Sequence, residues 1–537
     1  MNVLQMSTGD ITGGAAKASY RLTKGLRSIG QHCDMLVIYK TTDDPFVHGI
    51  DDAWLLKDNN PAPSTYFQDN YINRQRTEIS NTLFSLFYSG YDVTNLDLVR
   101  TTDVINLHWV VNFQSPRTIA HLASLGKPVV WTLHDQWPFT GGCHYSAGCA
   151  KYRTNCSPCP QLLDDSAGLI SALLRDKVHY FGDAPITIVS PSQWLADCAR
   201  ESTLFRKHRV ETIPNSLETD VFSPLEKETA RKKLGLHEEG LILLFGSESG
   251  SEKRKGFKEL LSAIQICMES ERFAGMVRDR KITVMCFGHP AKELESSGLH
   301  VIPLGFLETD ENIRNAYCAA DIFILPSLED NLPNTMLESM SCGIPVIAFN
   351  TGGMPDVIID EHSGLIVPSG DIRALSHAIV SLSFDRQKRE RMSKNCRKEA
   401  VAKYSLETQA RRYLQLYDDL RQTTVVYNQC SRNGHETSGK HDVVIFDTTP
   451  GPNLKQIYNR ILLKSLILSV KKRELNGPES IGVVHRIVRS VKGLLETIVS
   501  TPGRDNRLAS LLLRSMLKTV HFLKDIKRIL KRSRIHG

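Results

Sequence analysis

No apolar run in the 537-residue chain approaches the roughly 20 residues of a membrane span. The longest in its C-terminal part, Ile461–Val470, is interrupted by Lys464. Met1–Asp10 lacks a basic segment followed by an apolar one, so a secretory leader is not expected and a cytosolic protein is. Extreme composition is missing too: with 41% hydrophobic and 23% charged residues, the chain is neither largely disordered nor collagen-like nor a coiled coil. No aromatic stacking module is recognisable, and nucleic acid is not an expected partner. Disulfides are rare in a reducing compartment, so the 12 cysteines are expected to be thiols or metal ligands.

What is present is enough length for two or more domains and a charge that is unevenly placed. Residues 426–537 hold 21 Lys and Arg against 8 Asp and Glu, while residues 1–425 hold 45 against 51. A net +13 tail therefore follows a body of net −6. Short β-rich runs alternate with helix-length segments along the body. Val3–Met6, Asp34–Tyr39, Val104–His108, Val129–Leu133, Ile186–Ser190 and Val210–Ile213 read as strands. The rhythm restarts at Leu241–Gly246, Ile282–Gly288, Val301–Leu304, Ile322–Leu325, Val346–Ala348 and Leu365–Val367. Continuous apolar runs of this kind are buried on both faces by helices, here Ala15–Ile29, Lys258–Ser270 and Ala374–Leu382 among others. The expected fold class is α/β, with two doubly wound Rossmann-like domains facing a cleft. Residues 1–205 would form the first domain, 206–425 the second domain with a last helix at about 405–421 crossing back, and 426–537 a linker and basic helical extension. Ligands of open parallel sheets bind off the carboxyl ends of the strands, so those loops are where chemistry is expected.

The densest signal is Pro326-Ser-Leu-Glu-Asp-Asn-Leu-Pro-Asn-Thr-Met-Leu-Glu338, followed by Gly343-Ile-Pro-Val. A strand ends at Leu325, a loop carries Glu329, Asp330, Asn331 and Leu332, and a helix starting near Asn334 carries Glu338. A helix N-terminus suits phosphate, and carboxylates suit hydroxyls; a sugar nucleotide has both. Lys253-Arg-Lys255-Gly256 follows the first strand of the second half, where cations can stabilise charge growing on a leaving phosphate. Gly13-Gly14 opens the first helix and allows close backbone approach. His134 and His108 end neighbouring strands and would face one cleft.

This set of motifs resembles glycosyltransferase family 4 of the GT-B superfamily. Ile213-Pro-Asn-Ser-Leu-Glu218, Leu304-Gly-Phe, Tyr317-Cys-Ala-Ala-Asp321 and Gly352-Gly-Met-Pro-Asp-Val-Ile358 stand in the family's order. Trp137-Pro-Phe-Thr-Gly-Gly-Cys-His-Tyr145 is similar to an exopolysaccharide or colanic-acid subset. The resemblance covers roughly residues 1–421 and implies a retaining enzyme that uses a UDP- or GDP-sugar and no catalytic cofactor. By it, Glu338 holds the ribose, Asp330 the donor sugar, Lys255 the diphosphate, the Gly13-Gly14 loop lies against that diphosphate, and His134 lies near the reacting sugar. The family's first acid is usually Glu; here it is Asp330, with Glu329 beside it. The family's upstream Arg is Ser247 here, and Arg254 is the candidate to replace it. The acceptor implied is lipid-linked or oligosaccharide, in surface polysaccharide assembly. A nucleotide-sugar epimerase or hydrolase, and a non-catalytic membrane adaptor, are the alternatives.

Cys143, Cys149, Cys156 and Cys159 fall within 17 residues. They read as a structural zinc site that staples a loop, or as four thiols, or as two disulfides in an oxidising compartment. The tail offers helical stretches at Leu454–Arg473, Ile481–Val499 and Asn506–Arg534. The last has an apolar face beside basic residues, suited to an anionic membrane at the inner face of the plasma membrane, or to a small bundle with a solvated face.

Overall fold

The computed structural model of the chain describes residues 1–50, 68–80, 82–87, 90–236, 240–247, 252–288, 299–430, 444–447 and 451–455. Met1–Lys455 make one compact unit built around two parallel sheets.

The first sheet contains β1 (Asn2–Gly9), β2 (His32–Tyr39) and β3 (Val47–Gly49); β4 (Gly90–Asp92) lies apart from it; β5 (Val104–Leu107), β6 (Val129–Thr132), β7 (Ile186–Ser190) and β8 (Val210–Thr212) complete it. Its order is β3-β2-β1-β5-β6-β7-β8, parallel throughout. The second contains β9 (Leu241–Ser247), β10 (Ile282–Gly288), β11 (Val301–Gly305), β12 (Ile322–Leu325), β13 (Val346–Phe349) and β14 (Gly364–Val367), in the order β11-β10-β9-β12-β13-β14. Every expected strand is present. β8 pairs with β7, so the first sheet runs past the boundary expected at 205/206.

Alternation within the apolar runs fills two cores at once. Ile242, Leu244, Phe323 and Leu325 enter one buried cluster, while Leu241, Leu243, Phe245, Ile322 and Ile324 enter the other. Strand order reverses between β1 and β5 and again between β9 and β12, which places a crevice at the carboxyl ends of each sheet.

Helix α1 (Gly14–Ser28) buries Ala18, Leu22 and Leu26 at helical spacing. Helix α2 (Asn334–Ser341) follows β12. Helix α3 (Leu406–Cys430) crosses back and packs on α1 at Gly25, where a Cβ would lie 2.7 Å from the Leu406 carbonyl oxygen. Its Tyr413 and Tyr417 reach the first sheet, with hydroxyls 2.9 Å from Thr132 Oγ1 and 2.9 Å from Asn106 Nδ2. The last helix, expected to end at about 421, continues to Cys430, so it runs past the start of the linker expected at 426.

After α3 the chain returns to the first half. β15 (Ile445–Asp447) pairs antiparallel with β4. Asp176, buried on the helix Leu169–Phe181, accepts from the backbone N–H groups of Asn453 and Leu454, both at 2.9 Å, and from Asn453 Nδ2 at 2.9 Å. Beyond Leu454 and Lys455, the expected helices of the extension lie outside the described residues. No helix among the described residues is long and apolar enough to cross a membrane.

Candidate functional site

Glycines assemble the loop after β12. Gly352 has φ 54°, and a Cβ there would lie 1.6 Å from the Asp330 carbonyl oxygen; one at Gly353 would lie 2.0 Å from that of Asn331. At Gly256, with φ 71°, a Cβ would meet the Pro326 carbonyl oxygen at 1.7 Å. Loops after β9 and β13 therefore press directly on the β12 loop, and cations are delivered to its acid. Lys255 Nζ lies 2.7 Å and Arg254 Nη1 3.2 Å from Asp330 Oδ2. Burial alone would raise the Asp330 carboxyl, but the Lys255 and Arg254 charges outweigh it and hold it at about 2. Asp330 is an anion at any working pH.

The first sheet supplies the opposite wall. Asn331 Nδ2 donates to the carbonyls of Leu133 at 3.4 Å and His134 at 3.3 Å, and its Oδ1 accepts from Ser192 Oγ at 2.6 Å. Leu332 is buried, and its carbonyl accepts from Asn215 Nδ2 at 3.3 Å. Glu329 accepts from the Ala147 N–H at 3.0 Å and Ser146 Oγ at 3.4 Å, and its carbonyl accepts from Arg254 Nη1 at 3.3 Å. Gly13 (φ 88°) precedes α1 with open space where a Cβ would stand, and the Gly14 carbonyl accepts from Asn334 Nδ2 at 3.0 Å. Asp10 ties this loop to the end of β2 through Thr41 and Thr42.

Glu338 is not solitary. Arg21, fully buried on α1, donates from Nη2 to Glu338 at 2.9 Å and from Nε to Glu218 at 2.8 Å. Lys17 stands 3.6 Å from Glu338 and 2.7 Å from Asp310, and the Tyr317 hydroxyl lies 3.4 Å from the second Glu338 oxygen. The motif acid Glu218 and the acid at 338 are thus joined through one guanidinium. Sequence reading missed Arg21; the available signal was the stripe Lys17, Arg21, Lys24 along one face of α1.

His108 and His134 do meet, Nδ1 to Nε2 at 3.0 Å. His108 Nε2 lies 2.7 Å from Gln5 Oε1, an acceptor, so it carries the proton. His108 Nδ1 then accepts, His134 Nε2 donates, and the remaining lone pair is on His134 Nδ1. Burial pushes His134 down to about 4 and His108 well below its ordinary value, so both are neutral at working pH.

The cysteine-rich segment begins where Lys177, buried, donates to the carbonyls of Trp137 at 2.6 Å and Thr140 at 2.7 Å. The four thiols are neighbours: burial first, then the nearby Cys156, Cys159 and Cys149, raise the Cys143 thiol well above its usual range. None of the four is in a disulfide, and among the described residues no group of three or more His, Cys, Asp or Glu is arranged to hold a metal ion. The segment's tip reaches the cleft, with Tyr145 OH 3.3 Å from Asp330 Oδ1.

Residues 226–399 match the family described as Glycosyl transferases group 1. Among curated proteins, a D-inositol 3-phosphate glycosyltransferase of Kribbella flavida is 24% identical over 197 residues, covering 35% of this chain and 45% of that protein. A putative colanic acid biosynthesis glycosyl transferase of Escherichia coli is 24% identical over 296 residues, covering 51% and 68%. A UDP-Gal:alpha-D-GlcNAc-diphosphoundecaprenol alpha-1,3-galactosyltransferase of E. coli is 24% identical over 218 residues, covering 40% and 54%. The chain thus spans about half the length of most of these relatives. Sucrose-phosphate synthase from Thermosynechococcus elongatus superposes with a TM-score of 0.52 at 17% identity, over 79% of this chain and 100% of that one. HepE of Anabaena, solved with UDP-glucose, gives 0.50 at 16%, over 78% and 100%. Residues 226–399 thus match the glycosyl transferases group 1 model, set in a two-sheet chain whose fold is that of GT-B glycosyltransferase structures.

Proposed function

We propose that the chain is a retaining glycosyltransferase of family 4 that moves a sugar from a UDP- or GDP-sugar to a lipid-linked or oligosaccharide acceptor in surface polysaccharide assembly. The observation that carries this reading is the pair of cations Lys255 and Arg254 placed on Asp330 at adjoining strand ends, facing His134 and its neighbours across the cleft. Cations there neutralise a diphosphate as it leaves, an interaction stronger in the transition state than in the ground state. Asp330, permanently ionised, accepts from donor-sugar hydroxyls, and Glu338 from the ribose. Neutral His134 offers Nδ1 as an acceptor beside the reacting sugar. The departing diphosphate takes the acceptor's proton on the same face, which preserves the anomeric configuration. The colanic acid and diphosphoundecaprenol relatives point the acceptor toward lipid-linked glycans.

The test is nucleotide release from a panel of UDP- and GDP-sugars, with and without a diphosphoundecaprenol-linked sugar. Release that depends on the acceptor is expected. Equal release without it would make the chain a hydrolase, and an isomerised donor would make it an epimerase.

A further inference from the structure

We propose that Tyr145 is a positioning residue of the donor site, contributed by the first sheet's side of the cleft to the second. This rests on the reading of Arg254 and Asp330 as donor contacts.

Three contacts converge on this side chain, which is 6% exposed. The Arg254 guanidinium carbon stands 4.4 Å from the ring centroid, within cation–π range. On its own side, the ring stacks with Trp194, centroids 6.4 Å apart and planes 10° from parallel. The hydroxyl donates to Asp330 Oδ1, the oxygen that neither Lys255 nor Arg254 takes. Arg254 needs such a support. Its Nη2 pairs with Glu252 at 2.7 Å, and its Nη1 pairs with Asp330 at 3.2 Å and donates to the Glu329 carbonyl at 3.3 Å, but its buried Nε has no hydrogen-bond partner among the described residues. The aromatic face therefore holds a cation that hydrogen bonds alone leave incompletely fixed.

The backbone around Tyr145 is itself built to present it. The Gln161 side chain donates to the Tyr145 carbonyl at 2.9 Å, Gln136 Oε1 accepts from the Ser146 N–H at 2.6 Å, and Ala147 adopts φ 50°, a conformation uncommon for a residue with a Cβ. That conformation aims the Ala147 N–H at Glu329. One short loop thus engages Arg254, Asp330 and Glu329 together. Ring and hydroxyl divide the work: the ring sets the guanidinium that meets phosphate, and the hydroxyl sets the carboxylate that meets sugar.

Binding of UDP and GDP by calorimetry, with kcat and KM for the nucleotide sugar that the full chain turns over, tests this. Tyr145→Phe keeps the ring and should bind the nucleotide within about twofold of wild type while kcat falls about fivefold, the worth of one hydrogen bond. Tyr145→Leu should weaken nucleotide affinity about tenfold, and Tyr145→Trp should restore most of it. In a cycle with Arg254→Ala, the Leu substitution should add little, because both remove the same contact. Additive losses in that cycle, or a Leu variant with wild-type affinity and turnover, would overturn the proposal. Lys255→Ala separates the two levels. If it weakens UDP or GDP binding while the Leu variant does not, only the role of Tyr145 fails. If neither Lys255→Ala nor Arg254→Ala changes binding, the donor-site reading fails with it.

Discussion

Arg21 shows how far a single side chain can join distant parts of the sequence: it bonds residues 218 and 338 from position 21. A buried guanidinium is tolerable only with its charge matched, and two carboxylates match it here. Such a residue is invisible to motif reading, because its partners lie 197 and 317 positions away. Asp330, Glu338 and Lys255 were legible for the opposite reason, since local spacing and place after a strand mark them. Tyr145 sat inside a quoted motif, yet nothing in that motif indicated a contact with Asp330. The Asp330 cluster makes a pH prediction. Its carboxyl is held at about 2 against an ordinary 3.8, so its stabilising contribution is present above about pH 4 and is lost as pH falls toward 2. The stability gap between wild type and Asp330→Asn, from urea midpoints, should therefore narrow by on the order of 2 kcal/mol between pH 5 and pH 2. A gap constant over that range would mean that the ion pairs do not form in solution.

At the scale of elements, most strands were readable because both their faces are buried and their apolar runs are continuous; the edge strands β8 and β11 are only partly buried. The ones that escaped, Val47–Gly49, Gly90–Asp92 and Ile445–Asp447, are three-residue pieces too short to show a pattern. The last belongs to the return of the chain to the first half, where polar residues carry the contact. Asp176 takes the first N–H groups of the segment at Asn453 and Leu454, donors that a helix start leaves without intrahelical partners. Replacing Asp176 by Ala should release this segment, raising amide hydrogen exchange at Asn453 and Leu454 by tenfold or more, about 1.4 kcal/mol, while exchange in β5 and β6 stays unchanged. Unchanged exchange at both amides would show that β15 alone holds the segment.

For the whole molecule, the charge division read from sequence acquires a physical boundary. Met1–Lys455 form one compact unit that holds both sheets, and most of the excess of Lys and Arg follows it. If the basic residues after 455 engage an anionic surface, a chain ending at Lys455 should no longer float with phosphatidylglycerol liposomes, yet should keep its UDP or GDP affinity. Flotation equal to that of the full chain would place the lipid contact on the body instead. The two-sheet architecture and the position of the cleft were readable in the sequence; the closeness of the cleft's two walls was not, because it rests on single contacts such as Asn331 with the His134 carbonyl. The claim that these walls enclose a donor site is tested most directly by acceptor-dependent sugar transfer measured for wild type, Lys255→Ala and Glu338→Ala, with the product's anomeric configuration read by NMR. Expected are a product that keeps the donor's configuration, a loss of about 100-fold or more in kcat for Lys255→Ala, and a raised donor KM for Glu338→Ala. Transfer undiminished in both variants, or an inverted product, would contradict it.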